Sequence, residues 1–209
     1  MAEERIAERI DANLLDVTTD DLHALPKTMF DDRVKRLKEK SPGKLIIKEY
    51  PTASAHSGHF KALLNELALK KSFKPDVLMV DYLNICASSR FKGGNISSYF
   101  YIKAIAEELR GLAVEFKLPI FTATQTTRSG FVSTDIGLED TSESFGLPAT
   151  ADFMFALMSS EELDSLNQMK VKQLKNRYSD PAINRSFIIG VDRSKMRLYD
   201  VEQKAQNIV

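Results

Sequence analysis

The sequence predicts an α/β protein: a parallel sheet flanked by helices, extended by antiparallel strands at its C-terminal end. Three observations carry this. The apolar runs at Val77 to Val80 and Ile120 to Thr124 lack the apolar and polar alternation of a sheet with one wet face. Amphipathic stretches separate such runs, so the order strand, helix, strand repeats and helices are expected on both faces. From Phe153 onward, four strand segments succeed one another with short connections, which suits antiparallel neighbours.

At the N-terminus, Ile6, Ile10, Leu14 and Val17 recur at spacings of three and four, so residues 3–17 form an amphipathic helix. Pro26 interrupts the next stretch, and Phe30, Val34 and Leu37 among charged residues predict a solvent-facing helix to about Lys40. After the Ser41-Pro42-Gly43 turn, Leu45-Ile46-Ile47 reads as a short buried strand. Residues 59–71, with Phe60, Leu63, Leu64 and Leu67, read as a helix on one face of it. The second strand is Val77 to Val80. A long helix with the stripe Tyr99, Ile102, Ala106, Leu109, Ala113 and Phe116 leads to the third strand, Ile120 to Thr124. The C-terminal strands are Phe153 to Met158, Val171 to Lys175, Phe187 to Val191 and Met196 to Tyr199.

Composition narrows the rest. With 209 residues, 43% of them hydrophobic, the chain has material for one domain with a sizeable core and too little for two large ones, so residues 1–209 are read as a single domain. Lys plus Arg equals Asp plus Glu at 29 each, so nucleic-acid binding cannot rest on a global positive field and would need local basic loops. Cys86 is the only cysteine, which excludes an intrachain disulfide and a multi-cysteine metal site and fits a reducing compartment. The charged start Met1-Ala2-Glu3-Glu4-Arg5 is no secretory leader, and no run approaches the roughly 20 apolar residues that span a bilayer. A protein that is neither exported nor membrane-bound is expected.

In such a sheet, function lies in the loops beyond the carboxyl ends of the parallel strands. Asp81 ends the second strand as the carboxylate that helps hold Mg²⁺ does in a P-loop ATPase, yet no G-x-x-x-x-G-K-[ST] loop precedes it. The loop beyond it carries Arg90 and Lys92 around Phe91, cations for phosphates beside a ring that can stack on a base of single-stranded DNA. Gln125 ends the third strand, where it can sense a γ-phosphate or position water, and its loop carries Arg128. Lys175 and Arg177, at i and i+2, project the same way and suit phosphate oxygens. Plainer readings stand beside these: Asp81 as a turn cap, Gln125 bonded to loop backbone, and Arg90, Lys92, Arg128, Lys175 and Arg177 as solvated surface cations. Tyr82 either packs behind Asp81 or lines the DNA side. His56-Ser57-Gly58-His59 reads as a polar loop and cap rather than a metal site.

At these residues the sequence resembles the motor domain of ring-forming replicative DNA helicases of the DnaB type, above all those of T4-like phages. Leu78-Met79-Val80-Asp81-Tyr82-Leu83 is similar to the family's Walker B strand, and Leu118 to Gln125 to the strand ending in its Gln. Ala151-Asp152 resembles the pair opening a later strand, and Lys175-Asn176-Arg177 the Lys-x-Arg motif that reaches into a neighbouring subunit's ATP site. The resemblance implies a RecA-like P-loop ATPase core, with ATP and Mg²⁺ as cofactors and Asp81 on the metal. Gln125, Lys175 and Arg177 would serve catalysis, and Arg90, Lys92 and Arg128 would contact DNA. It implies a ring, a hexamer in the parent protein, that unwinds duplex DNA from a single strand. Primase and a helicase loader would be partners, in the host cytoplasm if phage-encoded.

It also implies that Met1 falls just after the family's catalytic Glu, so the chain is expected to be a fragment without P-loop or base and not ATPase-competent alone. Two rival functions stay open: a RecA-like recombinase on the same core, and a non-catalytic ATPase-like module that binds DNA or a partner.

Overall fold

The computed structural model describes residues 2–41, 43–91, 96–126, 136–140, 146–180 and 182–202. By internal contacts the chain divides into two compact units: residues 1–49, 157–171 and 186–209 form the first, and 50–156 and 172–185 the second.

The first unit opens with three helices, α1 (Glu3–Leu15), α2 (Thr19–Ala24) and α3 (Lys27–Lys40). Asp16 ends α1 in the left-handed conformation, and its amide donates back to the Asn13 carbonyl. Thr18 caps α2 by accepting from the Asp21 amide, so the predicted single helix over 3–17 stops two residues early and a short one comes after it. Pro26 precedes α3, whose sequence buries no side chain, as its charged pattern predicts.

The strand predicted at Leu45-Ile46-Ile47 does not form. The segment has no strand partner among the described residues, and Leu45 is 63% exposed. Instead the Glu49 amide and the Lys48 ammonium bond the Glu3 carboxylate in the first turn of α1. A run of three apolar residues becomes a strand only where a ladder accepts its backbone groups.

The second unit holds the core. Helix α4 (Ser57–Lys71) buries Phe60, Leu64 and Leu67, and α5 (Ser98–Phe116) buries Ile102, Ile105, Ala106, Leu109 and Leu112. Strands β1 (Leu78–Val80) and β2 (Ile120–Thr122) pair in parallel, Leu78 opposite Ile120 and Val80 opposite Thr122. Leu78, Val80 and Ile120 pack on that core. Alternation sends Met79 and its register partner Phe121 to the other face, where they are 77% and 58% exposed. The parallel pairing matches expectation, and the face carrying Met79 and Phe121 is left largely uncovered by the described residues.

The N-terminus of α4 is built from the two histidines. His56 Nδ1 accepts from the Gly58 amide and His59 Nδ1 accepts from the His56 amide, so the pair is a cap, as the sequence suggests. A short helix α6 (Gly146–Thr150) packs against α5. It leads into β3 (Phe153–Met158), helix α7 (Glu161–Ser165), β4 (Gln168–Asn176), β5 (Ser186–Asp192) and β6 (Arg197–Asp200). The spatial order is β3-β4-β5-β6, and β5 and β6 are antiparallel. The predicted C-terminal strands are therefore present, with β4 three residues longer at its start.

Candidate functional site

Two strand ends come together first. Because β1 and β2 are in register, their carboxyl ends lie side by side, and three side-chain bonds join the segments that leave them. Thr122 donates to the Val80 carbonyl (2.9 Å), Thr124 to Asn84 Oδ1 (2.8 Å), and Gln125 Nε2 to the Tyr82 hydroxyl (3.2 Å). The Leu83 amide adds a bond to the Ala123 carbonyl. Asp81, exposed at the end of β1, thus sits one residue from a tyrosine that holds Gln125. Through its hydroxyl, Tyr82 ties the second predicted strand-end residue to the segment that follows the first.

No trio of His, Cys, Asp or Glu side chains clusters to cage an ion among the described residues. Mg²⁺ is usually held by one or two carboxylates plus substrate phosphates and waters, and Asp81 can supply one such carboxylate.

The loop after β1 is fixed by a residue that sequence reasoning misses. Glu108, buried in α5, accepts from the hydroxyls of Ser57 (2.8 Å), Ser88 (2.6 Å) and Ser89 (2.7 Å) and from the Ser89 amide (3.0 Å). Burial alone would raise its pKa; the Ser88 and Ser89 bonds, with Ser57, outweigh it and bring the carboxyl down to about 2. A signal was available: Glu108 lies four residues from both Ala104 and Leu112, on the face the helix buries. Arg90 leaves this anchored segment and pairs with Glu107 in a half-exposed ion pair. Lys92 and Arg128, predicted beside it as DNA contacts, lie outside the described residues. Ile136, at the far end of the Gln125 loop, is held by the buried Lys172, whose ammonium donates to the Ile136 carbonyl (2.8 Å).

Lys175 and Arg177 form the second group. Both turn to the end of α6 within their own chain: Lys175 Nζ donates to the Pro148 carbonyl, and Arg177 Nη2 donates to that of Ala149 (3.0 Å). Arg177 Nη1 also reaches Asp152 Oδ1 at 3.0 Å, an oxygen shared with Arg110 at 2.8 Å, while Arg110 donates to the Thr150 carbonyl. Three cations thus collect around the last carbonyls of a helix and one carboxylate, where the helix end is partially negative. Burial would raise the Asp152 pKa, but Arg110 and then Arg177 lower it below the usual carboxylate range. Burial, then the charge of Arg177, pushes the Lys175 ammonium down. The predicted common direction of Lys175 and Arg177 is present. Arg110 carried no sequence signal, since an exposed Arg on a helix is commonplace.

No family profile matches the chain. It is 45% identical over 206 residues to the DnaB-like replicative helicase of Enterobacteria phage T4, an alignment covering 97% of this chain and 43% of that protein. Two solved structures share its fold. One is a DnaB-like replicative helicase described with its interactions with primase (TM-score 0.76, 17% identity, 97% of this chain and 50% of the other). The second is an ATPase domain (TM-score 0.75, 16% identity, 97% and 72%). The chain therefore spans less than half the length of its phage relative. Across 97% of its length the chain is similar to a segment of the DnaB-like replicative helicase of phage T4, and it shares the fold of these two solved structures.

Proposed function

We propose that the chain is part of the motor of a replicative DNA helicase, which hydrolyses ATP between neighbouring subunits of a ring and moves along single-stranded DNA. The observation that carries this is the 45% identity to the phage T4 helicase across 97% of the chain. The two groups of residues described above give the reading its chemistry. Residues 1–209 are read as belonging to one RecA-like motor domain.

In this reading Asp81 would face the nucleotide of its own subunit and would supply one carboxylate to hold the magnesium that accompanies it. When bound, the magnesium nucleotide supplies the γ-phosphoryl group whose transfer to water drives the motor. Gln125, held by the Tyr82 hydroxyl, stands where it can orient water or feel the γ-phosphate. Its loop is the mechanical output, because the strand end and the loop are one continuous segment. Lys175 and Arg177 act on the next subunit's nucleotide, where positive charge stabilises the transferring phosphoryl group.

Arg90, Lys92 and Arg128 contact the DNA backbone. For Arg90 this requires exchanging an exposed ion pair with Glu107 for a phosphate, an inexpensive trade because such pairs contribute about 0–1 kcal/mol. Primase, a helicase loader and neighbouring subunits are the partners of the longer protein, in the host cytoplasm. Primase is supported by the solved helicase described with it.

The test is Arg177→Ala in the helicase polypeptide that carries this segment. An arginine finger is worth on the order of 10³ to 10⁵ in rate, so DNA-stimulated ATP turnover should fall by about 1,000-fold or more with the ring intact. Turnover at the unsubstituted rate would refute the assignment.

A further inference from the structure

We propose that Asp152 is the positioning residue for Arg177: together with the end of α6 it fixes the guanidinium so that its remaining donors face outward. This rests on the reading of Arg177 as a group that acts on a neighbour's nucleotide. Arg177 comes directly after the last residue of β4, and a long side chain beyond a strand end has little to hold it. Here it is bound twice to one residue. Its backbone amide donates to the Asp152 carbonyl (3.0 Å), and its Nη1 donates to Asp152 Oδ1 (3.0 Å). Nη2 bonds the Ala149 carbonyl three residues earlier.

The donor count separates positioning from burial of the group. A guanidinium has five N–H donors, and these contacts use two of them. Three remain, on a side chain that is 45% exposed. Arg177 is therefore oriented without being consumed. Arg110 completes the arrangement: it bonds the same Asp152 oxygen and the Thr150 carbonyl, so the carboxylate is itself fixed from the α5 side and cannot follow Arg177 when that side chain moves. Lys175, on the Pro148 carbonyl, sets a third positive charge beside the pair. Without the Asp152 charge, three cations would face one another across the end of α6, and the most exposed of them would be free to leave.

Because the ion pairs are partly exposed, Asp152 contributes little to folding. Its effect belongs in the rate, since small misplacement of a reacting group costs on the order of 100-fold.

The experiment is a double-mutant cycle on steady-state ATP turnover with saturating single-stranded DNA, in the helicase polypeptide that carries this segment: the unsubstituted protein, Asp152→Asn, Arg177→Ala and both together. Asp152→Asn is expected to lower kcat by about 10- to 100-fold with KM within about twofold and the thermal midpoint nearly unchanged. In the Arg177→Ala background it should have no further effect, because the two residues act as a unit. A kcat for Asp152→Asn within twofold of the unsubstituted protein, or the same fold-loss repeated in the Arg177→Ala background, overturns the positioning role while the finger stands. Normal turnover by Arg177→Ala alone sinks the finger itself. If Asp152→Asn does not assemble, Asp152→Ser carries the same cycle and the same outcomes.

Discussion

Glu108 shows how much one buried carboxylate can organise. It is 9% exposed and accepts from three serine hydroxyls, so its charge is stabilised in place rather than neutralised. Its folded pKa, about 2, lies below the ordinary 4.5, so the stability it contributes is fully present above about pH 4.5 and is lost as pH falls towards 2. At 1.36 kcal/mol per unit the upper figure is about 3 kcal/mol. Glu108→Gln should cost about 1–3 kcal/mol in denaturant unfolding at pH 7. It should also flatten the loss of stability between pH 4.5 and 3. Equal slopes for the two proteins would show that the serine cluster does not hold the charge.

At the scale of elements, the β5–β6 hairpin depends on an absent side chain. Gly190 lies opposite Tyr199, whose ring covers it so closely that a Cβ at Gly190 would come within 2.3 Å of ring carbons. Asp192 closes the turn by accepting from the Ser194 and Lys195 amides, so the register cannot slip to relieve the clash. Gly190→Ala is expected to destabilise the protein by about 1–3 kcal/mol, measured by chemical denaturation, because the ring must leave its place on the sheet. Gly190→Ala combined with Tyr199→Ala should recover part of that loss. No recovery would mean that the ring is not the obstacle.

The elements also show what the sequence could carry. Helices α1, α3, α4 and α5 were legible because each has apolar residues at helical spacing, and the cap of α4 was legible in His56 and His59. The strand expected at 45–47 failed because periodicity reports burial and says nothing about a partner for the backbone. The contacts of Arg110 and Arg177 with Asp152 join residues 42 and 25 positions apart in a pattern no local spacing reveals. Glu108 is the intermediate case: its place on the buried face of α5 was visible, whereas its three serine partners come from two other segments.

For the molecule as a whole, the proposed function requires that Asp81 and Arg177 serve the same kind of active site from different subunits. Within the chain they stand in separate groups, Asp81 with Tyr82 and Gln125 at the strand ends, and Arg177 with Asp152 at the end of α6. The Asp-Tyr-Leu ending and the Lys-x-Arg spacing singled out Asp81, Lys175 and Arg177 in the sequence, because residues at strand ends form short local patterns. The most direct measurement mixes two inactive forms of the helicase polypeptide, one with Asp81→Asn and one with Arg177→Ala, and tracks DNA-stimulated ATP turnover after subunits exchange. Some junctions in mixed rings then pair an intact Asp81 with an intact Arg177. The account predicts turnover well above that of either form alone; turnover that never exceeds the average of the two would contradict it.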